Sequence, residues 1–346
     1  MIHVGVDLHQ RFCYVTAVKA TGEVLRHGAV PNEADKLQQF LGALPEPAQV
    51  VVEACGFWPA FERSVRQHAA RVVMVHPQRV RAIASARLKN DKVDSATLAH
   101  LSRCDLLPRA WMADADTQQL RMRVRLRIAL GRQRARSKNL LQGVLHQEGL
   151  RKPVSDLFGR RGRQWLQQAE LSAAGRAVVD THLRVIETLD ALIAKQEVEL
   201  KCMAAVDARA RWLQSIPGVG AYSALVILAE IGDIHRFADK KSLASYAGLV
   251  PRVRASGGRS SYGGITRAGS ETLRWILLQV AQSAVRHSDA VSRWYEHLRH
   301  RKRAQVAKVA VARKLLSCMW ALLQHGVCYD AEVFAAHETA AGGRCG

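Results

Sequence analysis

Two aspartates three residues apart carry the first chemistry in this chain. Asp91 and Asp94 sit in Lys89-Asn-Asp-Lys-Val-Asp-Ser95, and the residues that follow, Ser95-Ala-Thr-Leu-Ala-His-Leu, read as helix. Positions i and i+3 share a helix face. Two carboxylates there, between Lys89 and Lys92, make half of a divalent-metal site. The plainer reading is an acidic first turn favoured by the helix dipole. Two more carboxylates tip the balance. Asp7 ends the pattern Gly5-Val-Asp7, and Glu53 closes the run Val50-Val-Val. A glutamate ending an all-valine strand needs a partner for its charge. Mg²⁺ takes few protein carboxylates and keeps several waters, which leaves positions for phosphate oxygens. Two such ions can stabilise the attacking and the leaving oxygen of a phosphodiester. The expected cofactor is therefore a pair of Mg²⁺ ions, with Mn²⁺ as the substitute, held by Asp7, Glu53, Asp91 and Asp94.

The elements that must position these acids follow from hydrophobic period. Ile2, Val4, Val6 and Leu8 alternate with His3, Gly5 and Asp7, which predicts a strand over 2–8. Strands over 12–18 and 24–30 complete an antiparallel meander, with Thr21-Gly22 at one turn. A helix follows from Asn32, its expected N-cap, to about Leu41. Val50–Glu53 reads as a buried central strand. Helices at 58–69 and from Pro77 flank a fifth strand at 72–75. Three strands, helix, strand, helix, strand, helix is the order of the ribonuclease H-like fold. In that fold the first strand, the fourth strand and a later helix bring their carboxylates to one end of the sheet.

Bulk charge names the partner. The chain of 346 residues carries 51 Lys and Arg against 30 Asp and Glu, a net charge of +21. A polyanion is its natural ligand, and nucleic acid is the expected one. The basic residues concentrate in a helical stretch from Asp116 to His146. It holds Arg121, Arg123, Arg125, Arg127, Arg132, Arg134, Arg136 and Lys138, with no acid between Thr117 and Gln147. A one-signed run repels itself unless something neutralises it, and phosphate is the expected neutraliser. Arg121, Arg123, Arg127 and Arg134 are the expected contacts. Ser215-Ile-Pro-Gly-Val-Gly220 opens a helix, and Gly218 and Gly220 would let backbone N–H groups face a phosphate, as in a helix-hairpin-helix element. Plain core packing of two helices is the alternative. Pro251–Gly264 is dense in Gly and Ser, carries Arg252, Arg254 and Arg259, and shows no apolar period; it reads as a loop.

The rest excludes other classes. No run of apolar residues is long enough to span a bilayer, and the first residues enter a strand pattern without a basic leader, so no membrane and no secretion are expected. Seven scattered cysteines without a CxxC pair argue for a reducing compartment, here the cytoplasm. The length predicts more than one domain. The expected division is an α/β domain at 1–112, a basic coiled-coil helical hairpin at 113–208, a mainly helical domain at 209–330 and a disordered tail at 331–346. The hairpin could pair with another protomer.

The chain resembles the DEDD transposases of the insertion-sequence-110 family, the bridge-RNA-guided DNA recombinases, over about residues 2–330. The resemblance rests on Gly5-Val-Asp7, Val52-Glu53-Ala-Cys-Gly56, Asp91-Lys-Val-Asp94, Ser215-Ile-Pro-Gly-Val-Gly220, Tyr246-Ala-Gly-Leu-Val-Pro251, Ser256-Gly257 and Thr266-Arg-Ala-Gly269. It implies an N-terminal RuvC-like domain with the four acids as metal ligands. It implies a C-terminal transposase domain whose Ser256 is the nucleophile that links to DNA; Ser260 and Ser261 lie close by. It also implies a structured guide RNA that pairs with donor and target DNA, and a homo-oligomer, dimer or tetramer, with composite sites. Delegating sequence reading to a guide fits a basic chain without a base-reading module. The competing readings are a RuvC-like junction nuclease with no covalent serine intermediate, and a nucleic-acid binder without catalysis. A pure binder gains nothing from gathering negative charge near phosphate.

Overall fold

The computed structural model describes residues 1–84, 90–256, 259–332 and 334. It divides into two compact units, Met1–Met112 and Ala113–Gly346. The first is a mixed α/β unit. Strands β1 (Ile2–Leu8), β2 (Phe12–Val18) and β3 (Val24–Pro31) form the antiparallel meander. Strand β4 (Ala48–Glu53) pairs in parallel with the other side of β1, and β5 (Arg71–Val75) lies parallel beyond it. The sheet order is β3-β2-β1-β4-β5. Helices α1 (Ala34–Gly42), α2 (Trp58–Val65), α3 (Pro77–Ile83) and α4 (Asp91–Arg103) complete the unit.

Strand alternation sorts the sheet into two faces. Val4, Val6, Val15, Val50 and Val52 pack against Leu37, Phe40, Phe61 and Val65 of α1 and α2. Val51, Val73 and Val75 pack against Val80, Leu98 and Leu101 of α3 and α4. Helix α4 lies unusually close to the middle strand. A Cβ built on Gly5 would stand 1.9 Å from the Ser95 carbonyl oxygen and 2.6 Å from the Ala99 amide nitrogen. Small residues on α4 meet that gap: Ser95 and Ala99 are fully buried. Hydrogen bonds fix the docking at both ends. The Ser95 hydroxyl is 2.7 Å from that of Thr16 on β2. The Ser102 hydroxyl receives the Gln49 amide of β4 and lies 2.8 Å from His3 Nδ1 on β1.

One cap differs from expectation. Helix α1 starts at Ala34 with Glu33 at its N-cap. The Asn32 amide instead donates to the carbonyls of His9 (3.0 Å) and Gln10 (3.4 Å). Those carbonyls belong to the β1–β2 turn, beyond the last ladder pair Leu8–Cys13, and need a donor.

The second unit is mostly helical. Its elements are α5 (Ala115–Gln147), α6 (Arg160–Gln168), α7 (Ala173–Val206), α8 (Ala208–Gln214), α9 (Ala221–Ile231), α10 (Lys240–Tyr246), strands β6 (Pro251–Ser256) and β7 (Arg259–Ile265), then α11 (Glu271–His287), α12 (Asp289–Arg299) and α13 (Ala304–His325). Helix α9 is the axis: every residue from Ser223 to Ile231 is buried. Around it lie Val124 and Ile128 of α5, Leu200 of α7, Leu213 of α8, Leu277 and Val280 of α11, and Leu315 of α13. The two long helices therefore share a core with the segment that follows them, and only their far ends form a separate cluster with Leu157 and Leu166.

Helix α6 starts at Arg160, and its Gly162 packs on the Leu157 carbonyl. Helix α10 is short, and Asp239 and Ser242 form a capping box at its start. Two sequence expectations change here. Pro251–Gly264 is a two-stranded antiparallel hairpin, with Ser256 opposite Arg259. Two residues, Gly257-Gly258, separate its strands, a hairpin signal that joins the alternation of Val253 and Ala255 with Arg252 and Arg254. The expected disordered tail also starts too early: Phe334 is buried against Trp294 and Tyr329. Residues 335–346 lie outside the described residues.

The cysteines carry no bridge among the described residues. No helix there is long and apolar enough to cross a membrane. The Gly5 contact yields a direct prediction. Gly5→Ala places a methyl inside the α4 backbone, so the helix must move away. The expected loss is about 1–3 kcal/mol or more in urea unfolding. A variant as stable as the wild type would show that α4 does not pack where the structure has it.

Candidate active site

The acids lie where β1, β4 and α4 end together. In the parallel pairing Val6 stands opposite Val52, so Asp7 and Glu53 are the next residues along two neighbouring strands. Alternation turns both toward the α4 face. On α4, Ser95, Leu98 and Ser102 are buried, and Asp91 continues that stripe one turn earlier, past the sheet edge. Asn90 caps the helix by accepting the Val93 N–H at 2.9 Å, so Asp91 and Asp94 occupy its first turn. That placement is the one the helix dipole favours for carboxylates.

A histidine that the motif reasoning missed sits among them. His9 Nε2 is 3.2 Å from Asp7 Oδ2 and 3.5 Å from Asp91 Oδ2. One ligand atom from each of Asp7, His9 and Asp91 falls within 4.8 Å of the others. Glu53 and Asp94 border this set without belonging to it. The signal for His9 was present: it lies two residues after Asp7, on the same side of the chain's alternation.

Burial pushes the Asp7 carboxyl above the usual range; His9 opposes this, while the charges of Asp91 and then Asp94 add to it. Both acids of α4 are therefore close enough to be felt at Asp7. A carboxyl whose folded pKa is raised binds its proton more tightly folded than unfolded. Its ionisation works against folding once pH climbs through the ordinary carboxylate value toward the raised one. Clustered, partly desolvated carboxylates that cost stability mark functional sites more often than structural ones. Oxygen donors facing one point, with Asp91 and His9 still open to solvent, suit a small divalent cation that keeps waters. The residues present fit such an ion.

The serine hairpin has a rigid root. Tyr246–Pro251 and Thr266–Gly269, separate in sequence, run side by side. The Thr266 N–H donates to Val250 O at 2.9 Å and the Ser270 N–H to Tyr246 O at 3.0 Å. Gly248 and Gly269 both have positive φ, and a Cβ on either would stand about 2 Å from a backbone oxygen of the opposite segment, Ala268 (2.2 Å) or Tyr246 (2.0 Å). Beneath this clasp lies Glu230, buried in α9. Its Oε2 accepts from Ser270 Oγ at 2.8 Å and its Oε1 from Arg125 Nη2 at 2.9 Å. The Tyr246 hydroxyl donates to its carbonyl at 3.2 Å. A lone carboxylate in an otherwise apolar helix signals a buried network, and removing one partner of such a charge typically costs about 3–5 kcal/mol. The side chains of Arg254, Ser256, Arg259 and Ser260 lie outside the described residues.

The arginine-rich helix is neutralised largely from within. Arg123 pairs with Glu199 (2.9 Å), Arg127 with Glu197 (2.6 Å) and Arg134 with Asp190 (2.7 Å), all on antiparallel α7. Arg121 Nε donates to the Ala229 carbonyl at the end of α9 at 2.7 Å. Phosphate is therefore not the only neutraliser open to this helix: reading it in isolation hid the acids of its neighbour. Gly218 also has an internal role. Its φ is +86°, and a Cβ there would meet the Ala284 amide of α11 at 2.6 Å. The Gly220 N–H already donates to Ser223 Oγ at 2.9 Å. Exposed cations remain at Arg136 and Arg252 and in the turn Arg299–Arg303, and Arg132 is exposed with only a 3.9 Å contact to exposed Glu271.

An α/β unit followed by a mostly helical one fits a DEDD transposase, and comparison with known proteins gives the same class. Residues 4–149 match the family model of the IS110 DEDD transposases, described as transposase, and residues 210–296 match the Transposase IS116/IS110/IS902 family. The chain is 30% identical to the transposase for insertion sequence element IS1111A of Coxiella burnetii, over 92% of this chain and 89% of that one. It is 28% identical to a probable family 20 transposase of Pseudomonas aeruginosa, over 94% and 98%. The transposase for IS1328 of Yersinia enterocolitica is 25% identical over 94% and 98%. The chain belongs to the IS116/IS110/IS902 family of transposases.

The ion-pair geometry separates two groups of arginines. Changing Arg123, Arg127 and Arg134 to Gln should lower stability by about 1–2 kcal/mol in all, as three mostly exposed pairs are lost. Changing Arg132, whose 3.9 Å pair with Glu271 is open to solvent, and Arg136 to Gln should leave stability nearly unchanged. It should weaken DNA binding and flatten its salt dependence by about one unit of slope per phosphate contact. The opposite pattern in urea unfolding and salt titration would return the paired arginines to the nucleic-acid interface.

Proposed function

We propose that this transposase of an insertion sequence cuts and rejoins DNA through the RuvC-like, ribonuclease H-like site of Asp7, Glu53, Asp91 and Asp94, with Ser256 as nucleophile. The observation that carries the reading is the approach of Asp7 and Asp91, from strand and helix, to one shared point. Two Mg²⁺ ions at that point, for which Mn²⁺ could substitute, would neutralise the charge of the scissile phosphate and of the leaving oxygen. Asp7 and Glu53, at the ends of paired strands, and Asp91 and Asp94, on the capped helix, would hold their carboxylates still while substrate binds.

Ser256 closes β6 at the tip of the hairpin, opposite Arg259. Its hydroxyl would attack phosphorus: the Oγ–P bond forms, the bond from phosphorus to the leaving sugar oxygen breaks, and the serine proton leaves as that oxygen gains one. The phosphoserine conserves the bond energy, so a new strand can displace the serine without an external energy source. Arg252, Arg254 and Arg259 on the same hairpin would hold the flanking phosphates. The clasp at Gly248 and Gly269 would keep the hairpin on the helical unit while its tip approaches DNA. A structured guide RNA would choose donor and target by base pairing, and a dimer or tetramer in the cytoplasm would complete the sites. The strong net positive charge supports backbone contact with RNA and DNA alike.

The test is a covalent adduct. Asp94→Ala should bind nucleic acid and leave strands uncut. Ser256→Ala should bind and yield neither adduct nor recombinant, while joint replacement of Ser260 and Ser261 by Ala should retain the adduct. Peptide mapping of the DNA-linked residue to Ser260 or Ser261 would shift the nucleophile along β7. Cleavage with no serine adduct at all would make the chain a junction-type metal nuclease.

A further inference from the structure

Among the described residues, the three atoms able to hold a cation together come from Asp7, Asp91 and a residue outside the four acids. We propose that His9 is itself a ligand of the metal site, and that its nitrogen makes the site favour Mn²⁺ over Mg²⁺. This rests on the reading that these acids hold a metal.

The distances suit ligation. In an octahedral shell with bonds near 2.1 Å, neighbouring ligand atoms stand about 3 Å apart. His9 Nε2 is 3.2 Å from one aspartate oxygen and 3.5 Å from the other, so all three can occupy adjacent corners of one shell. The histidine is also held in place as ligands are. Its N–H donates to Phe12 O at 3.0 Å, closing the β1–β2 turn. Its carbonyl accepts from the Asn32 amide at 3.0 Å. Its ring stacks on Phe12, with centroids 4.8 Å apart and planes 27° from parallel. The two backbone hydrogen bonds close the turn and fix the position of His9, as they would for any turn residue. The stacking on Phe12 is what orients the ring, with Nε2 toward Asp7 and Asp91.

The nitrogen has a chemical consequence. Carboxylate and water suit Mg²⁺, Ca²⁺ and Mn²⁺, whereas imidazole suits transition metals and adds little for Mg²⁺. A shell of two carboxylates and one imidazole therefore gains affinity along the first-row series without closing the positions that water and phosphate need. Asp91 and His9 are each more than two-fifths exposed, which leaves those positions open. A mere hydrogen bond from His9 to the carboxylates would orient them but give no such selectivity.

Pulsed electron paramagnetic resonance on the full-length protein with Mn²⁺ separates the two. The wild type should show ¹⁴N modulation from a directly bound imidazole. His9→Gln should lose it and bind Mn²⁺ about tenfold or more weakly by calorimetry, with a smaller change for Mg²⁺. Asp91→Asn should lose Mn²⁺ binding at the site. Mn²⁺ bound in the wild type without ¹⁴N modulation, or modulation that persists in His9→Gln, would overturn the inference while leaving the carboxylate site intact. Undiminished Mn²⁺ binding in Asp91→Asn would instead remove the carboxylate reading. The wild-type spectrum decides the ligand question even if a variant fails to fold.

Discussion

The contact between Gly5 and the backbone of α4 sets the rest of the catalytic unit. With no side chain on the middle strand, Ser95 and Ala99 lie directly over it. The hydroxyls of Ser95 and Ser102 then tie the helix to β2, β1 and β4. A helix pinned at two points about two turns apart has neither slide nor rotation left. Its first turn must overhang the carboxyl end of β1, which is where Asp7 stands. Interiors packed to crystal density transmit such a constraint faithfully. The site's precision is thus bought several residues away from any acid.

Electrostatics then runs in opposite senses in the two units. In the first, like charges are gathered: Asp91 and Asp94 raise the Asp7 carboxyl, and burial raises it more. Under the proposed function, a bound cation would relieve that tension. In the second, opposite charges are paired off. Arginines of α5 meet acids of α7, and the buried Glu230 receives both Arg125 and Ser270. The helical unit spends much of its basic charge on its own stiffness. The cations left over, in the turn after α12 and on the outer side of α5, carry the excess that makes the chain a polyanion binder.

How much of this was legible in the sequence depended on the range of each interaction. The strands and the shared face of Asp91 and Asp94 followed from alternation and helical spacing, which are local, whereas the approach of Asp7 to Asp91 was expected only from the likeness of the element order to the ribonuclease H-like fold. Val50–Glu53 announced a central strand because nothing else explains an unbroken valine run. The long-range partners were not legible. Nothing near Arg127 points to Glu197, and nothing near Asn32 favours the β1–β2 turn over a helix cap. His9 and Glu230 could have been singled out, one by its two-residue step from Asp7 and the other by its isolation in an apolar helix. The Ser256 segment was misread for a different reason. Pro251, Val253 and Ala255 do alternate with Arg252, Arg254 and Ser256, but the run is short, and the Gly-Gly pair after it was the stronger signal.

The central claim is that strand and helix place one shared cation site at the end of β1. Anomalous diffraction from crystals of the full-length protein grown with Mn²⁺ tests it most directly. The account predicts a peak at the manganese edge bounded by Asp7, His9 and Asp91, with Glu53 and Asp94 within reach of the same ion or a second one beside it. Strong manganese peaks elsewhere in the protein, with none between β1 and α4, would contradict it.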